Sequence, residues 1–124
     1  MKLLILGMVV ILVLGLTPSK IYYQAPRGPI QEVRAIVTAY SEIDSCHYEN
    51  CVMASGSRAY IGAVACPRDV SLGTRVVIAG KEYKCEDRTH QNFDGRYDIF
   101  MGYGADSYEK AVEWGRRELA VIIK

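Results

Sequence analysis

The sequence from Lys84 to Gly104 is KCEDRTHQNFDGRYDIFMGYG, and it holds the chain's main candidates for chemistry. Apolar and polar residues alternate at both ends of this stretch, which predicts a β-strand at each end. The polar residues between the two strands, together with Gly95, predict a loop. Asp87 therefore lies where the first strand ends, and Asp98 lies where the second begins.

The two aspartates would face one site if their strands are neighbours in a sheet. One carboxyl group could then keep its proton while the other stays ionised, as acid/base chemistry on a sugar bond requires. The simpler alternative is that aspartates near strand ends form turns. The spacing of Asp87 and Asp98 alone leaves both interpretations open.

Strand patterns recur on both sides of this stretch, each marked by alternation or by a short apolar run. The six predicted strands span residues 32–40, 61–66, 75–78, 82–85, 97–101 and 119–123. Ala79-Gly80-Lys81 lies between the third and fourth strands and predicts a hairpin turn. The polar segment Ser41–Ser57 predicts a long loop, which is a common location for functional residues.

One short helix is predicted from Tyr108 to Gly115, with Asp106 or Ser107 as its N-cap. Six short strands and one helix in a chain of 124 residues favour a mostly β fold. A small closed barrel is the favoured arrangement, because so short a chain must hide its strand edges.

Residues 1–19 are predicted to form an apolar N-terminal helix that acts as a signal peptide or a membrane anchor. A positive start, Met1-Lys2, precedes an uncharged run from Leu3 to Leu16. The run is short for a membrane span, which needs about 20 residues, so cleaved and uncleaved forms both stay open. Residues 20–32 contain prolines and a glycine and predict a linker. Residues 33–124 then form one exported domain, secreted or membrane-anchored.

Four cysteines form an even set, which favours disulfides in an exported protein. Cys66 and Cys85 hold similar places in two strand-like runs, so a bridge between adjacent strands is expected. Cys46 and Cys51 would close a small loop. Structural zinc requires close pairs such as Cys-x-x-Cys, which the sequence lacks, so we expect no metal. Free buried thiols are the alternative if the domain faces the cytosol.

The charge is nearly balanced, with 15 Lys and Arg against 14 Asp and Glu. Nucleic-acid binding usually requires a basic face, so we expect no nucleic-acid partner. Nine tyrosines are many for this length. Tyrosine can stack on a sugar ring and still form hydrogen bonds, but strands also favour it.

Six short motifs follow one another along the chain: Thr38-Ala39-Tyr40, Ala54-Ser55-Gly56, AVACP at 63–67, LGTRV at 72–76, Glu86-Asp87 and RYDIF at 96–100. Their order, the 11-residue spacing of Asp87 and Asp98, and the trailing Gly102-Tyr103-Gly104 resemble the 3D domain, which is named for three aspartates. This domain occurs in secreted cell-wall proteins and at the end of membrane-bound lytic transglycosylase A. The resemblance covers about residues 33–124.

The resemblance implies a double-psi β-barrel that acts on peptidoglycan and needs no cofactor. It implies a lytic transglycosylase, which cuts the β-1,4 bond between N-acetylmuramic acid and N-acetylglucosamine without water. Asp98 matches the family's acid, and Asp87 would orient it or stabilise positive charge at the sugar C1. Arg96 would bind a substrate acetamide or carboxylate, or is a solvated charge at a strand end. Three residues match groove motifs and are expected to bind substrate: Thr38, Tyr40 and Ser55.

The chain departs from the family pattern in two places. Cys66 stands where the family's first aspartate normally follows an alanine, and the loop 88–94 lacks the usual glycines. A Cys66–Cys85 disulfide in place of that aspartate suggests that the first aspartate is structural in the family. Two non-enzymatic alternatives remain, namely a glycan-binding or wall-anchoring module and a structural barrel that mediates protein contacts.

Overall fold

The computed structural model describes residues 28–46 and 51–124, and six strands within these ranges close into a barrel. The order around the barrel is β1-β5-β2-β4-β3-β6. The strands are β1 Gln31–Tyr40, β2 Ala63–Cys66, β3 Arg75–Ile78, β4 Lys81–Arg88, β5 Tyr97–Phe100 and β6 Arg117–Ile123. Two α-helices, α1 Glu42–Ser45 and α2 Ala105–Trp114, and a 3₁₀ turn at Gln91–Phe93 accompany them. The predicted mostly β fold and six-stranded barrel are confirmed, with α2 as the one predicted helix and the single-turn α1 in addition.

The barrel contains two parallel pairs, β1 with β5 and β2 with β4. The other four pairs are antiparallel, and the longest joins β1 to β6 from Gln31↔Ile123 to Val37↔Arg117. β1 therefore begins inside the segment that the sequence predicted as linker, because Gln31 and Glu32 already pair with β6. The predicted helix at residues 1–19 and most of the predicted linker lie outside the described residues.

Side chains from all six strands meet in one buried cluster inside the barrel. Alternation along each strand sends every second side chain inward, where burial of a large aliphatic side chain stabilises the fold by about 1.5–3 kcal/mol. The cluster includes Val37, Val64, Ile78, Tyr83, Ile99 and Val121. α2 packs beside this core, and the Trp114 indole N–H donates to the Val37 carbonyl at 3.3 Å.

The hairpin between β3 and β4 forms as predicted. Ala79 and Gly80 both have positive φ, at 50° and 76°, between the paired residues Ile78 and Lys81. Two successive residues with positive φ match the twist of the flanking strands, and this explains why a glycine occupies the turn. β4 continues beyond the predicted end at Cys85, because its last residues pair with β2.

Both helices differ from the sequence-based expectation. α1 lies inside the segment predicted as loop, where Ser41 and Asp44 form a reciprocal capping box. α2 begins at Ala105, and Gly104 with φ 82° takes the N-cap position, so the prediction of Asp106 or Ser107 as cap was wrong. Ser107 is instead buried in the first turn, and its hydroxyl donates to the Gly104 carbonyl at 2.6 Å.

The four cysteines form the two predicted disulfides. Cys66 and Cys85 join the neighbouring strands β2 and β4 with a Cα–Cα distance of 5.7 Å, and both are fully buried. Cys46 and Cys51 are 4.9 Å apart between Cα atoms, and residues 47–50 between them are outside the described ranges. Disulfides are typical of small domains outside the reducing cytosol. In the described ranges, no cluster of His, Cys, Asp and Glu suits a metal ion, and no helix has the length and hydropathy of a membrane span.

We expect the Cys66–Cys85 disulfide to contribute more stability than Cys46–Cys51. It closes a loop with a sequence separation of 19 rather than 5, so loop entropy gives roughly 3 against roughly 2 kcal/mol. Because this disulfide is buried, replacement of both cysteines by alanine also removes packing contacts in the core. Urea denaturation of the two double alanine variants measures the difference. An equal or larger loss for the Cys46 and Cys51 pair would contradict this ranking.

Candidate functional site

Asp87 and Asp98 lie on strands that are not neighbours, because β2 lies between β4 and β5. The hypothesis of a shared site assumed that the two strands are direct neighbours, and they are not. Ala65 of β2 is paired with Asp98 on one side and with Asp87 on the other. Only one strand lies between the two carboxyl groups, and its residue at that level is the small Ala65. The two aspartates therefore still share one site.

A register shift in the β2–β4 ladder decides which acidic residue lies opposite Ala65. Val64 pairs with Cys85, but Ala65 pairs with Asp87, so that Glu86 is the extra residue on β4. Such a bulge redirects side chains locally and often lies beside a functional site. Because of this bulge, Cys85 points into the core and Asp87 is aligned with Ala65 and Asp98 across three strands.

The two aspartates open into a cavity of about 420 Å³. Strands β1, β2, β4 and β5 contribute Thr38, Tyr40, Ala65, Asp87 and Asp98 to its lining. The end of β4 and the segment that leads to β5 supply the rest of the lining, here called the loop wall, which consists of Arg88, Thr89, His90, Phe93 and Arg96. The cavity is therefore acidic on the strand side and rich in cationic and hydrogen-bonding groups on the loop side.

Asp98 is partly buried and makes one hydrogen bond within the described ranges, to the Thr38 hydroxyl, which donates to its Oδ1 at 3.0 Å. Burial raises the pKa of Asp98 to about 6, and the nearby charges of Asp44 and Asp87 act in the same direction. The Thr38 hydrogen bond opposes them, because it stabilises the ionised form. Asp98 is thus a carboxyl group that exchanges its proton near neutral pH.

Asp87 has a different environment, in which three donors surround its carboxylate. Its Oδ1 accepts from the backbone N–H groups of Ala54 at 3.0 Å and Arg88 at 2.8 Å, and its Oδ2 accepts from the Tyr40 hydroxyl at 3.4 Å. Burial and the nearby charges of Asp87 and Asp98 raise the pKa of Tyr40 far above its usual value. Tyr40 therefore stays protonated and remains a donor.

Glu86 is a buried acid that the sequence reasoning did not single out. Its Oε2 accepts from the Ser55 hydroxyl at 2.9 Å, and its Oε1 lies 3.0 Å from the Lys84 Nζ. Burial raises the pKa of Glu86, but the hydrogen bonds from Lys84 and Ser55 outweigh it and lower the pKa below its usual value. The Ser55 backbone N–H also donates to the Glu86 carbonyl, so Glu86 holds the turn that presents the Ala54 N–H to Asp87.

The predicted site residues thus fall into two groups. Asp98, Asp87, Thr38, Tyr40 and Arg96 all line the cavity. Ser55 is not part of its lining and lies against Glu86 instead, and its predicted role in substrate binding is not tested by this arrangement.

Five cavity-lining residues were not predicted from the sequence, namely Ala65 on β2 and Arg88, Thr89, His90 and Phe93 on the loop wall. Asp44 was missed too, because the segment that contains it was predicted as loop. The departure of residues 88–94 from the family's glycine pattern was the available signal for four of these residues.

Asp94 lies at a turn, as its Asp-Gly context suggests. Its Oδ1 accepts from the backbone N–H groups of Arg68 at 3.1 Å and Gly95 at 3.2 Å. Arg88 donates to the carbonyls of Pro67 at 2.7 Å and Val70 at 2.5 Å. These contacts fix the cavity's loop wall to the segment that follows β2.

No protein-family model matches the chain, and no curated protein matches it. The barrel is similar to the crystal structure of MltA from E. coli, with a TM-score of 0.51 and 17% sequence identity over 62% of this chain and 28% of that one. An aspartate-to-alanine variant of the E. coli lytic transglycosylase MltA in its apo-2 form gives a TM-score of 0.50 and 15% identity with the same coverage. These similarities establish a shared fold, and the chain spans 28% of the length of MltA.

Substitution of Thr38 by valine is expected to raise the pKa of Asp98 above its value of about 6. Valine has nearly the same shape but cannot donate to Oδ1, so the ionised carboxylate loses its hydrogen bond. Asp87→Asn should have the opposite effect, because it removes a neighbouring negative charge. A ¹³C NMR titration of the Asp98 carboxyl carbon measures both shifts. An unchanged midpoint in Thr38→Val would contradict this account of the site.

Asp98→Asn is expected to stabilise the fold at neutral pH and to leave it unchanged at pH below about 4. The folded-state pKa of about 6 lies above the ordinary aspartate value of 3.8, so ionisation of the wild type weakens the fold as the pH rises through this interval. Asparagine avoids that penalty, and a gain of about 3 kcal/mol is expected at pH 7. Thermal melts from pH 4 to 8 measure it, with exposed Asp94→Asn as the matched control.

The pH dependence of this gain is the informative part of the measurement. A gain of equal size at pH 4 and pH 7 would indicate that asparagine improves packing and that the buried charge is not its cause.

Proposed function

We propose that this protein is a lytic transglycosylase-like enzyme that cleaves peptidoglycan, with Asp98 as its acid/base group. The observation that carries the proposal is the environment of Asp98, a partly buried carboxyl group with a pKa of about 6 that opens into a cavity. A general acid works best when its pKa lies close to the working pH. The fold shared with the E. coli lytic transglycosylase MltA supports the choice of reaction.

One carboxyl group suffices for a non-hydrolytic cleavage, because the nucleophile is part of the substrate. Protonated Asp98 gives its proton to the oxygen that leaves C1 of the N-acetylmuramic acid. The C6 hydroxyl of the same sugar then attacks C1, and the Asp98 carboxylate takes the hydroxyl proton. The products are a 1,6-anhydro sugar and a free 4-hydroxyl group, and Asp98 is again protonated.

The other predicted site residues support this step from fixed positions. Thr38 holds Oδ1 of Asp98, so the proton to be transferred is assigned to Oδ2. Asp87 is held by three donors and supplies a negative charge that stabilises the positive charge developing at C1. Tyr40 is 7% exposed and donates its hydroxyl hydrogen bond to Asp87, so its part in the step is to keep Asp87 in place.

Peptidoglycan as the substrate is consistent with a domain outside the cytosol. The two disulfides favour that location. Export, and retention at a membrane by residues 1–19 when these are not removed, are part of the proposal. The chain needs no cofactor in this scheme, and its near-neutral charge favours no nucleic-acid partner.

A non-catalytic glycan-binding module is the second candidate. The observation that favours it is the Cys66–Cys85 disulfide, because it occupies the place where the resembled family has its first aspartate. If that aspartate is structural, as the full burial of Cys66 suggests, its replacement leaves the chemistry of Asp98 intact. The two candidates differ in whether Asp98 releases products, which an assay can decide.

Asp98→Asn is expected to abolish release of anhydro-muropeptides from purified sacculi while sacculus binding persists. Asparagine keeps the shape and an acceptor for Thr38 but cannot transfer a proton, and loss of such help typically lowers rates by 10²–10⁴-fold. Asp87→Asn should lower the rate less, and Asp94→Asn, at the turn, should change it little. Mass analysis of the soluble products measures all three.

The chemical form of the products separates the candidates. Anhydro ends support the enzyme, whereas reducing ends would indicate a hydrolase. Near wild-type release by Asp98→Asn would refute the role of Asp98. Binding of sacculi without any release by the wild-type chain would establish the binding module instead.

A further inference from the structure

The loop wall of the cavity carries a guanidinium group that the fold does not use. Arg96 makes no ion pair and no side-chain hydrogen bond with any other residue in the described ranges. Its guanidinium carbon lies 4.6 Å from the centre of the Phe93 ring, and Phe93 is 51% exposed. Stacking on an aromatic face restricts a guanidinium group while leaving its N–H donors free. Arg96 is thus oriented at the cavity without being neutralised.

Arg88 lines the same cavity and shows what a structural arginine looks like in this protein. Its Nη1 donates to two backbone carbonyls, those of Pro67 and Val70. These bonds fix the chain after β2, so the Arg88 side chain is committed to the fold. The contrast assigns Arg96 rather than Arg88 as the cation available to a ligand.

Two more donors lie on the wall beside Arg96. The His90 Nδ1 accepts from the Asn92 backbone N–H at 3.2 Å, so the proton of the neutral ring is on Nε2, which is a donor. Thr89 is 8% exposed, and its hydroxyl oxygen is buried without a partner among the residues that the structure describes. A buried hydroxyl without a partner is costly, and a rotation of the Thr89 side chain about χ1 would bring it to a bound oxygen atom.

The two carboxyl groups that line the cavity do not prevent a negatively charged ligand from binding there. Three donors already surround Asp87, and Tyr40 is one of them. Asp98 carries no charge while it holds the proton that the proposed reaction requires. The loop wall therefore presents positive charge to an incoming ligand, from Arg96 and from Arg88, whose partners in the described ranges are neutral carbonyls.

We propose that Arg96, His90 and Thr89 form a subsite for a substrate carboxylate, so that the enzyme selects glycan that carries one near the bond to be cut. This inference rests on the proposed function, since it names the form of glycan that the same cavity accepts. A planar guanidinium group binds a carboxylate through two parallel hydrogen bonds, and His90 and Thr89 would add single bonds to its oxygens.

Peptidoglycan offers this carboxylate from two sources. The lactyl group of N-acetylmuramic acid carries a free carboxylate only when no peptide is attached to it. When the lactyl group is amidated, the nearest carboxylates belong to the peptide stem. If the lactyl carboxylate is the one bound, another enzyme must hydrolyse the lactyl amide before the glycan is cleaved. If a stem carboxylate is bound, the peptide must still be attached when the glycan is cleaved.

The test measures binding by the full chain carrying Asp98→Asn, which prevents turnover. The probes are a GlcNAc–MurNAc tetrasaccharide with free lactyl carboxylates, its neutral lactyl methylamide, and the tetrasaccharide bearing stem peptides, each titrated by calorimetry. We expect about tenfold tighter binding of one carboxylate-bearing probe than of the methylamide, and loss of that preference in Arg96→Gln. Raising the salt concentration should reduce the preference as well.

Arg75→Gln is the matched control, because it removes the same charge from β3. β3 lies opposite β5 in the six-strand order, and Arg75 is exposed and paired with Glu82. Arg75→Gln should keep the preference. Arg96→Lys should retain part of it, because an ammonium group keeps the charge but not the planar pair of donors.

Each outcome decides the proposal. Tight binding of the free-acid probe identifies the lactyl group as the source, and tight binding of the peptide probe alone identifies the stem. Equal affinity for all three probes, or a preference that survives Arg96→Gln, would overturn the subsite even if the wild type releases anhydro-muropeptides. Failure to bind any probe together with absence of release would overturn the proposed function itself.

Discussion

The position of β2 between β4 and β5 is the constraint on which the site depends. β2 has four residues, all fully or almost fully buried, and it pairs in parallel with β4 and antiparallel with β5. The Cys66–Cys85 disulfide ties it to β4 within the core. With β2 fixed, the bulge at Glu86 sets the alignment of Asp87, Ala65 and Asp98. A change of one residue in that register would turn Asp87 away from the cavity.

Three of the four acidic residues of β4 and β5, namely Glu86, Asp87 and Asp98, show how different surroundings give similar groups different properties. Glu86 is the most buried, yet Lys84 and Ser55 neutralise and hold it, and it serves the local structure. Asp87 is bound by backbone N–H groups and Tyr40. Among the described residues Asp98 receives only the Thr38 hydroxyl, which offsets its burial in part, and its pKa rises to about 6. The group that is least supported by the fold is the one suited to proton transfer.

Local patterns were sufficient for most strands but not for the elements whose stability comes from contacts distant in sequence. The hairpin at Ala79-Gly80 follows from local turn chemistry and formed as predicted. Ile61 was predicted to open β2, yet it is 59% exposed, because the strand begins only where pairing with β4 and β5 becomes possible. α1 was predicted as loop, because four residues are too few to show a helical period. Its first residue, Glu42, is held by a contact distant in sequence, in which its backbone N–H donates to the Gly102 carbonyl.

The sequence by itself determined the mostly β character, and it predicted the two disulfides and singled out Asp87 and Asp98 as candidate site residues. Alternation, turn residues and motif order are local properties, so they can be recognised without coordinates. Only the tertiary structure decided that β2 separates the two aspartate-bearing strands, that Glu86 is a bulge, and that the Arg88 guanidinium donates to two carbonyls whereas the Arg96 guanidinium donates to no side chain or carbonyl in the part of the chain described. Strand order, register and the partners of a charged side chain depend on which distant segments meet when the barrel closes, and no local pattern encodes that choice.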